Sequence, residues 1–215
     1  MKTFVKFCGL TDPTAIALVP EGGAAGFVID VPASPRNLTV AQAADLAGQV
    51  PGGAEAWAVV VDPSADMIRK IFDEVGVDRI QVHGKIPEGL DFLEIHHLVP
   101  SLAVPLSADA GPIPELPPAD SYPRVHLDAA GGPLPGGSGQ RPDWEMCATL
   151  VQKAPGRKLV LAGGLTPENV GDALSAVRPW GVDVSSGVES SPGVKDPERM
   201  RAFLSAVEAW EKSHA

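Results

Sequence analysis

The sequence predicts an α/β protein of eight β/α units closed into a parallel barrel, a single domain over residues 1–215 with a degenerate fifth helix. Three observations carry that prediction. Short β-rich runs recur at roughly 20–35-residue intervals, the spacing of a strand plus a returning helix. The segments between them suit helices, and several open with a cap residue followed by proline: Asp12-Pro13, Thr166-Pro167 and Asp196-Pro197. The length, 215 residues, is one domain's worth and sits near the lower limit, about 200, for a (β/α)8 barrel. Alternating units imply a parallel sheet, and eight of them favour closure over a doubly wound open sheet.

In order, strands are expected at Phe4–Cys8, Gly26–Ile29, Ala56–Val61, Arg79–His83, Ser101–Leu106, Arg124–Asp128, Lys158–Ala162 and Gly181–Ser185. Asn37-Leu38-Thr39, formally a glycosylation sequon, reads as a loop leading into a capped helix. After the fifth strand, Asp109–Pro118 carries four prolines and leaves little room for a regular helix. The last helix spaces Met200, Phe203, Leu204 and Val207 at i, i+3, i+4 and i+7, so one apolar face should seal the barrel.

Composition narrows the class. With 44% hydrophobic and 20% charged residues the chain can build a core, which excludes disorder and fibrous structure. A net charge of −10 with scattered Lys and Arg argues against nucleic acid or an anionic membrane as partner. Cys8 and Cys147 form no C-x-x-C pair or disulfide framework and suit a reducing cytoplasm. Met1-Lys2-Thr3-Phe4 runs straight into a strand without a signal core, and no apolar run reaches the ~18 residues of a membrane span. His96 and His97 have no partners at ligand spacing, so no metal site is expected.

Parallel barrel strands are buried on both faces and should read as continuous Val, Ile and Leu. Four do not. The two-residue period puts Lys6 with Cys8, Gln81 with His83, His126 with Asp128, and Asp183 with Ser185. Their alternates, from Val5 and Phe7 to Val182 and Val184, pack under helices, so the polar set points inward. Cys8, His83, Asp128 and Ser185 then lie at the C-terminal mouth, where barrel enzymes do chemistry. Lys6 and Asp183 are expected to pair, and Lys6 and His126 to serve structure alone. A neighbouring positive charge, His83 or Lys6, should lower the Cys8 thiol, while burial raises Asp128.

The seventh strand ends in Leu161-Ala162-Gly163-Gly164-Leu165 and the eighth in Ser185-Ser186-Gly187-Val188-Glu189. Small residues let backbone N–H groups approach an anion, and adjacent loops at these two strand ends are the recurrent phosphate position of this architecture. A short helix is expected from Ser186. Arg36, after Ser34-Pro35, suits bidentate contact with a carboxylate. The loop Pro135–Gly139 reads as a flap. No G-x-G-x-x-G or Walker loop is present, which disfavours a nucleotide cofactor.

These residues resemble the phosphoribosylanthranilate isomerase family of tryptophan biosynthesis. Val5-Lys6-Phe7-Cys8-Gly9-Leu10-Thr11, Ser34-Pro35-Arg36, Gln81-Val82-His83-Gly84, Leu127-Asp128, Pro135–Gly139, Leu161–Leu165 and Gly181–Glu189 match its motifs in order. The resemblance implies a TIM barrel catalysing an Amadori rearrangement without metal or cofactor, as monomer or homodimer on a small-molecule substrate. It makes Asp128 the general acid and Cys8 the general base. Arg36, His83, Gly163, Gly164, Asp183, Ser185, Ser186 and Gly187 become substrate-binding, Arg36 at the anthranilate carboxylate and the glycine and serine amides at the phosphate. Asp30, Asp62 and Pro142-Asp143-Trp144 depart from the family pattern, and Asp30 would weaken binding if it faced the mouth. The alternatives are a related histidine-pathway aminoaldose isomerase, which should show two similar halves that are absent here, and a non-catalytic sugar-phosphate-binding barrel, against which both Cys8 and Asp128 argue.

Overall fold

The computed structural model describes residues 2–130 and 139–214. Eight parallel strands form the barrel: β1 (Phe4–Cys8), β2 (Ala24–Ile29), β3 (Glu55–Val61), β4 (Arg79–His83), β5 (Leu98–Val104), β6 (Arg124–Ala129), β7 (Lys158–Leu161) and β8 (Gly181–Val184). Each pairs with its neighbours, and β1 pairs with both β2 and β8, which closes the sheet. Asn37–Leu38 adds a short parallel strand beside β2, and the next residue, Thr39, caps helix α2 (Val40–Ala47) with a reciprocal bond to Gln42.

The remaining helices are α1 (Pro13–Ile16), α3 (Ala65–Val75), α4 (Phe92–His96), α5 (Trp144–Lys153), α6 (Val170–Val177) and α7 (Pro197–Ser213). Between β5 and β6 there is only a 3-10 turn at Ala108–Ala110, since proline removes the donors a helix needs. Asp12 and Asp196 cap α1 and α7 as the Asp-Pro signals indicate. Thr166-Pro167 does not start a helix: α6 begins at Val170, and Asn169 instead braces the turn, its Oδ1 accepting from Thr166 N at 2.8 Å and its Nδ2 donating to Gly164 O at 2.9 Å. Strand β5 also starts earlier than expected, at Leu98, because Pro100 is tolerated within it beside Val82.

The strands sort their side chains by parity. Val5, Phe7, Ile80, Val82, Val125, Leu127, Val182 and Val184 join the core between sheet and helices, where Phe203 of α7 meets Phe7 with ring centroids 6.1 Å apart. Met200, Phe203 and Val207 are buried and Leu204 half-buried, so α7 does seal the barrel. Inside the barrel, Phe4, Ala24, Trp57, Val99 and Val160 make a separate apolar floor, closed by Trp180. Above that floor the interior becomes polar. No helix among the described residues is long and apolar enough to cross a membrane.

Candidate active site

The mouth of the barrel opens into a cavity of about 670 Å³. Cys8, Arg36, His83, Asp128, Gly163, Gly164, Asp183, Ser185, Ser186 and Gly187 all line it. Residues from the ends of six strands, or from the loops that follow them, thus face one space at the C-terminal rim. Of the expected flap, Pro135 to Ser138 lie outside the described residues, and Gly139 lines the cavity.

The lower wall is a buried polar layer. Lys6 Nζ donates to Asp183 Oδ1 at 3.1 Å, and His126 Nδ1 lies 3.7 Å from Asp183 Oδ2. Gln81 Nε2 sits 3.0 Å from His83 Nε2 and 3.3 Å from His126 Nδ1. Gln81 Nε2 also donates to Ser101 Oγ at 2.9 Å, so its two protons are shared among three neighbours in this layer. Burial, reinforced by Lys6, pushes His83 down to about 4 and His126 well below the ordinary histidine value. His83 therefore cannot supply the positive charge beside Cys8 that the sequence suggested. That charge comes from Lys6 and Lys195, and burial, with Asp183 adding to it, outweighs them, so the Cys8 thiol lies above its ordinary value.

Across the mouth, burial pushes the Asp128 carboxyl up to about 6, with the Ala129 N–H at 2.8 Å opposing it and Asp183 adding to it. Gly163 has φ +87, and a side chain there would press on Asp128 Oδ1 and the Gln140 carbonyl. Gly164 follows with φ +62. Two successive residues with positive φ form a tight turn that only glycine adopts without strain. A 3-10 turn, Ser186–Val188, opens on the next strand end, where a side chain at Gly187 would collide with the Leu165 carbonyl. The two small-residue loops are therefore in contact.

On the opposite side, Arg36 is nearly buried and its stem crosses Gly9, where φ is +71 and a side chain would strike it. Its guanidinium forms a two-bond fork with Glu189, Nε to Oε1 and Nη2 to Oε2, both at 2.7 Å. Lys195 Nζ approaches Glu189 Oε1 at 2.6 Å and donates to Ser185 O at 3.1 Å. Sequence reasoning quoted Glu189 only as part of a motif and missed Lys195. The available signal was the Pro192-Gly193 turn, which folds 189–195 back so that Glu189 and Lys195 face each other across two short antiparallel strands.

The departures fall elsewhere. Asp30, with φ 56, is exposed and lines a separate depression with Asp62 and Lys70. Asp62 Oδ1 accepts from Lys85 N at 2.7 Å and braces the turn after β4. Arg141 stacks over the Trp144 ring, 4.4 Å from its centroid.

A family model described as N-(5'-phosphoribosyl)anthranilate (PRA) isomerase matches residues 5–206. The chain is 40% identical to N-(5'-phosphoribosyl)anthranilate isomerase from a Chelativorans species, covering 97% of each. A TrpF crystal structure from Jonesia denitrificans superposes with a TM-score of 0.73 at 36% identity, over 97% of this chain and 98% of that one. A phosphoribosyl anthranilate isomerase in complex with reduced 1-(o-carboxyphenylamino)-1-deoxyribulose 5-phosphate gives 0.71 at 26% identity, over 96% and 99%. Extending over almost the full length of sequence and fold alike, these matches mean that the chain belongs to the N-(5'-phosphoribosyl)anthranilate isomerase family.

Proposed function

We propose that the cavity rearranges N-(5'-phosphoribosyl)anthranilate to 1-(2-carboxyphenylamino)-1-deoxyribulose 5-phosphate, with Asp128 as general acid and Cys8 as general base. The observation that carries this reading is one space bounded by a carboxyl, a thiol, an arginine and two small-residue loops, Gly163–Leu165 and Ser185–Gly187. Asp128 gives its proton to the furanose oxygen, the C1'–O bond breaks and the anthranilate nitrogen stabilises the opened Schiff base. The Cys8 thiolate then removes the C2' proton; the resulting enolamine takes a proton back at C1' from the Cys8 thiol and releases its C2' hydroxyl proton to the Asp128 carboxylate as it relaxes to the ketone, which restores both groups. A carboxyl held near 6 keeps a usable protonated fraction at neutral pH, as the first step needs.

The two anionic ends of the substrate are held apart. Backbone N–H groups of Gly163–Leu165 and Ser186–Gly187 take the phosphate, since neither loop contains Lys or Arg. Arg36 takes the anthranilate carboxylate. Asp183 keeps Lys6 charged beside the base, and neutral His83 lines the sugar's side of the cavity. The protein works on this small molecule in the cytoplasm, as monomer or homodimer.

The test is to mix purified protein with freshly made substrate and follow the loss of its fluorescence. Turnover that falls steeply in both Cys8→Ala and Asp128→Asn supports the roles. Wild-type rates in either variant would remove that residue from the mechanism.

A further inference from the structure

Arg36 poses an electrostatic problem if it is to hold a carboxylate. Its Nε–Nη2 edge already grips Glu189 through two 2.7 Å bonds, and that fork by itself is neutral. A neutral pair gives little attraction to an incoming anion in a chain of net charge −10. The neighbouring Lys6–Asp183 pair is neutral as well.

Lys195 changes the balance. Its ammonium lies 2.6 Å from the Glu189 carboxylate and is nearly buried, so the trio Arg36, Glu189 and Lys195 carries one net positive charge. A bound carboxylate brings the group to neutrality. The geometry is fixed by backbone contacts on both sides. Gly193, with φ +84, lies so close to the Pro35 carbonyl that a side chain would meet it at 2.5 Å, and the Thr11 hydroxyl donates to Gly193 O at 3.1 Å. The 189–195 segment is thereby held against the loop that carries Arg36. A guanidinium has five N–H donors, and the fork uses two. It leaves both protons of Nη1 and one on Nη2, so a carboxylate in the cavity meets the end of the guanidinium and not its side.

We propose that Glu189 and Lys195 are positioning residues for the carboxylate end of the substrate: Glu189 turns Arg36 end-on to the cavity, and Lys195 offsets Glu189 so that the site stays cationic. This rests on the assignment of Arg36 to the anthranilate carboxylate. It explains why an acidic residue sits directly on an anion site, where a simple charge count would place none.

Two competitive probes separate the ends of the site: anthranilate for the carboxylate and inorganic phosphate for the loops. Lys195→Met should raise the anthranilate Ki about 10-fold, as expected for losing one charge-assisted contact, and raise KM; kcat falls as well, since Lys195 also supplies part of the positive charge beside Cys8, so the inhibitor constants are the deciding readout. The phosphate Ki should move less than the anthranilate Ki, and Lys195→Arg should restore most of the loss. Glu189→Gln gives the sharper sign. Simple charge counting predicts tighter anthranilate binding in that variant, whereas loss of the clamp predicts weaker binding despite the added positive charge. Tighter or unchanged binding in Glu189→Gln, or equal weakening of both probes in Lys195→Met, overturns the proposal. Arg36→Ala is the control: if it leaves anthranilate inhibition intact, the carboxylate assignment falls and this inference with it. If only Arg36→Ala weakens inhibition, the assignment stands and the positioning role alone is refuted.

Discussion

Two arginine–glutamate forks mark the two ends of the barrel, and their surroundings differ. At the floor, Arg124 grips Glu55 at 2.5 and 3.0 Å. Its guanidinium is stacked among the rings of Phe4, Trp57 and Trp180, 5.1–5.7 Å from their centroids. At the mouth, Arg36 grips Glu189 side-on through Nε and Nη2, where Arg124 uses its Nη1–Nη2 end, and a second cation, Lys195, shares the carboxylate while the group faces a cavity. The same pairing serves packing where aromatic faces cover it and recognition where space is left beside it. The contrast extends to the layers themselves: below, apolar side chains interlock, while above, Gln81 Oε1 and His126 Nε2 are buried without a hydrogen-bond partner among the described residues. An under-satisfied polar layer costs stability, and natural proteins concentrate such layers at functional sites.

The strongest way to break the comparison is at the mouth. Cys8→Ala and Asp128→Asn should each lower kcat by roughly 10²–10⁴ while the protein still folds, because each loses a group used in proton transfer. Steady-state kinetics beside a thermal melt decides it. At the floor the pattern should invert. Arg124→Met leaves Glu55 without its fork and should remove about 3–5 kcal/mol of stability with kcat per folded molecule unchanged. A floor variant that melts normally but turns over slowly would mean the two ends are not separable.

Asp128 and Glu55 also have opposite linkage to pH. Burial opposes ionisation at Glu55, but the hydrogen bonds from Arg124 and Trp57 prevail and hold it below the usual range, so its contribution is present above that range and is lost as the solution is acidified. Asp128 is raised to about 6, so the folded state binds its proton more tightly than the unfolded chain. The stability it lends is full below the unfolded value near 4 and fades as pH rises through about 6. Asp128→Asn should therefore be more stable than the parent at pH 7, by about 2–3 kcal/mol, and no more stable at pH 3.5. Denaturant melts at the two pH values test this, and a variant destabilised at neutral pH would show that the Asp128 carboxylate is not held at a cost.

Most of the fold was legible because a parallel barrel writes a strong period into its strands. Lys6, Gln81, His126 and Asp183 stand out only because their strand neighbours are Val, Leu and Phe, and parity then sets their direction. The proline run after β5 was equally plain. Signals confined to one residue pair were less secure, and Thr166-Pro167 looked like a helix start because local sequence cannot show that Asn169 turns back to bond Gly164. At the site, residue types and strand ends located the cavity lining, but charge state depends on burial and on distant partners. Nothing near His83 in sequence tells that it is neutral, or that Lys195 stands behind Glu189 and Cys8. Burial and the closure of the barrel set the charge state of His83 and bring Lys195 behind Cys8, whereas its place beside Glu189 is set locally by the Pro192-Gly193 turn.

The pH–rate profile sharpens the same point. The proposed mechanism needs protonated Asp128 and ionised Cys8, yet the carboxyl sits near 6 and the thiol above its ordinary value, the reverse of the working order. Below pH 6 kcat/KM should rise with pH as the thiolate fraction grows. Above 6 the loss of the Asp128 proton cancels that gain and the profile levels, until it falls once Cys8 is fully ionised. In Asp128→Asn the break near 6 should vanish, and the residual rate should keep climbing toward the thiol value. A break that persists near 6 in this variant would belong to another group.

The smallest effect should come from Asp30, the departure from the family pattern that raised concern for an anionic substrate. Its left-handed backbone turns it out of the strand end, and it is exposed in the depression shared with Asp62 and Lys70 rather than in the catalytic cavity. An exposed charge of this kind is screened over ~8 Å at physiological salt, whereas the Arg36 group acts through direct contact. Asp30→Asn should therefore change KM by less than about 2-fold at 0.15 M salt, with a slightly larger decrease at 10 mM, where the screening length approaches ~30 Å. Substituting glycine would confuse the outcome, because position 30 has φ 56 and glycine would relieve backbone strain as well as charge. Asparagine keeps the shape and tolerates that conformation. A several-fold fall in KM at 0.15 M would place the Asp30 field inside the cavity and make net charge, not the local trio and the small-residue loops, the determinant of affinity.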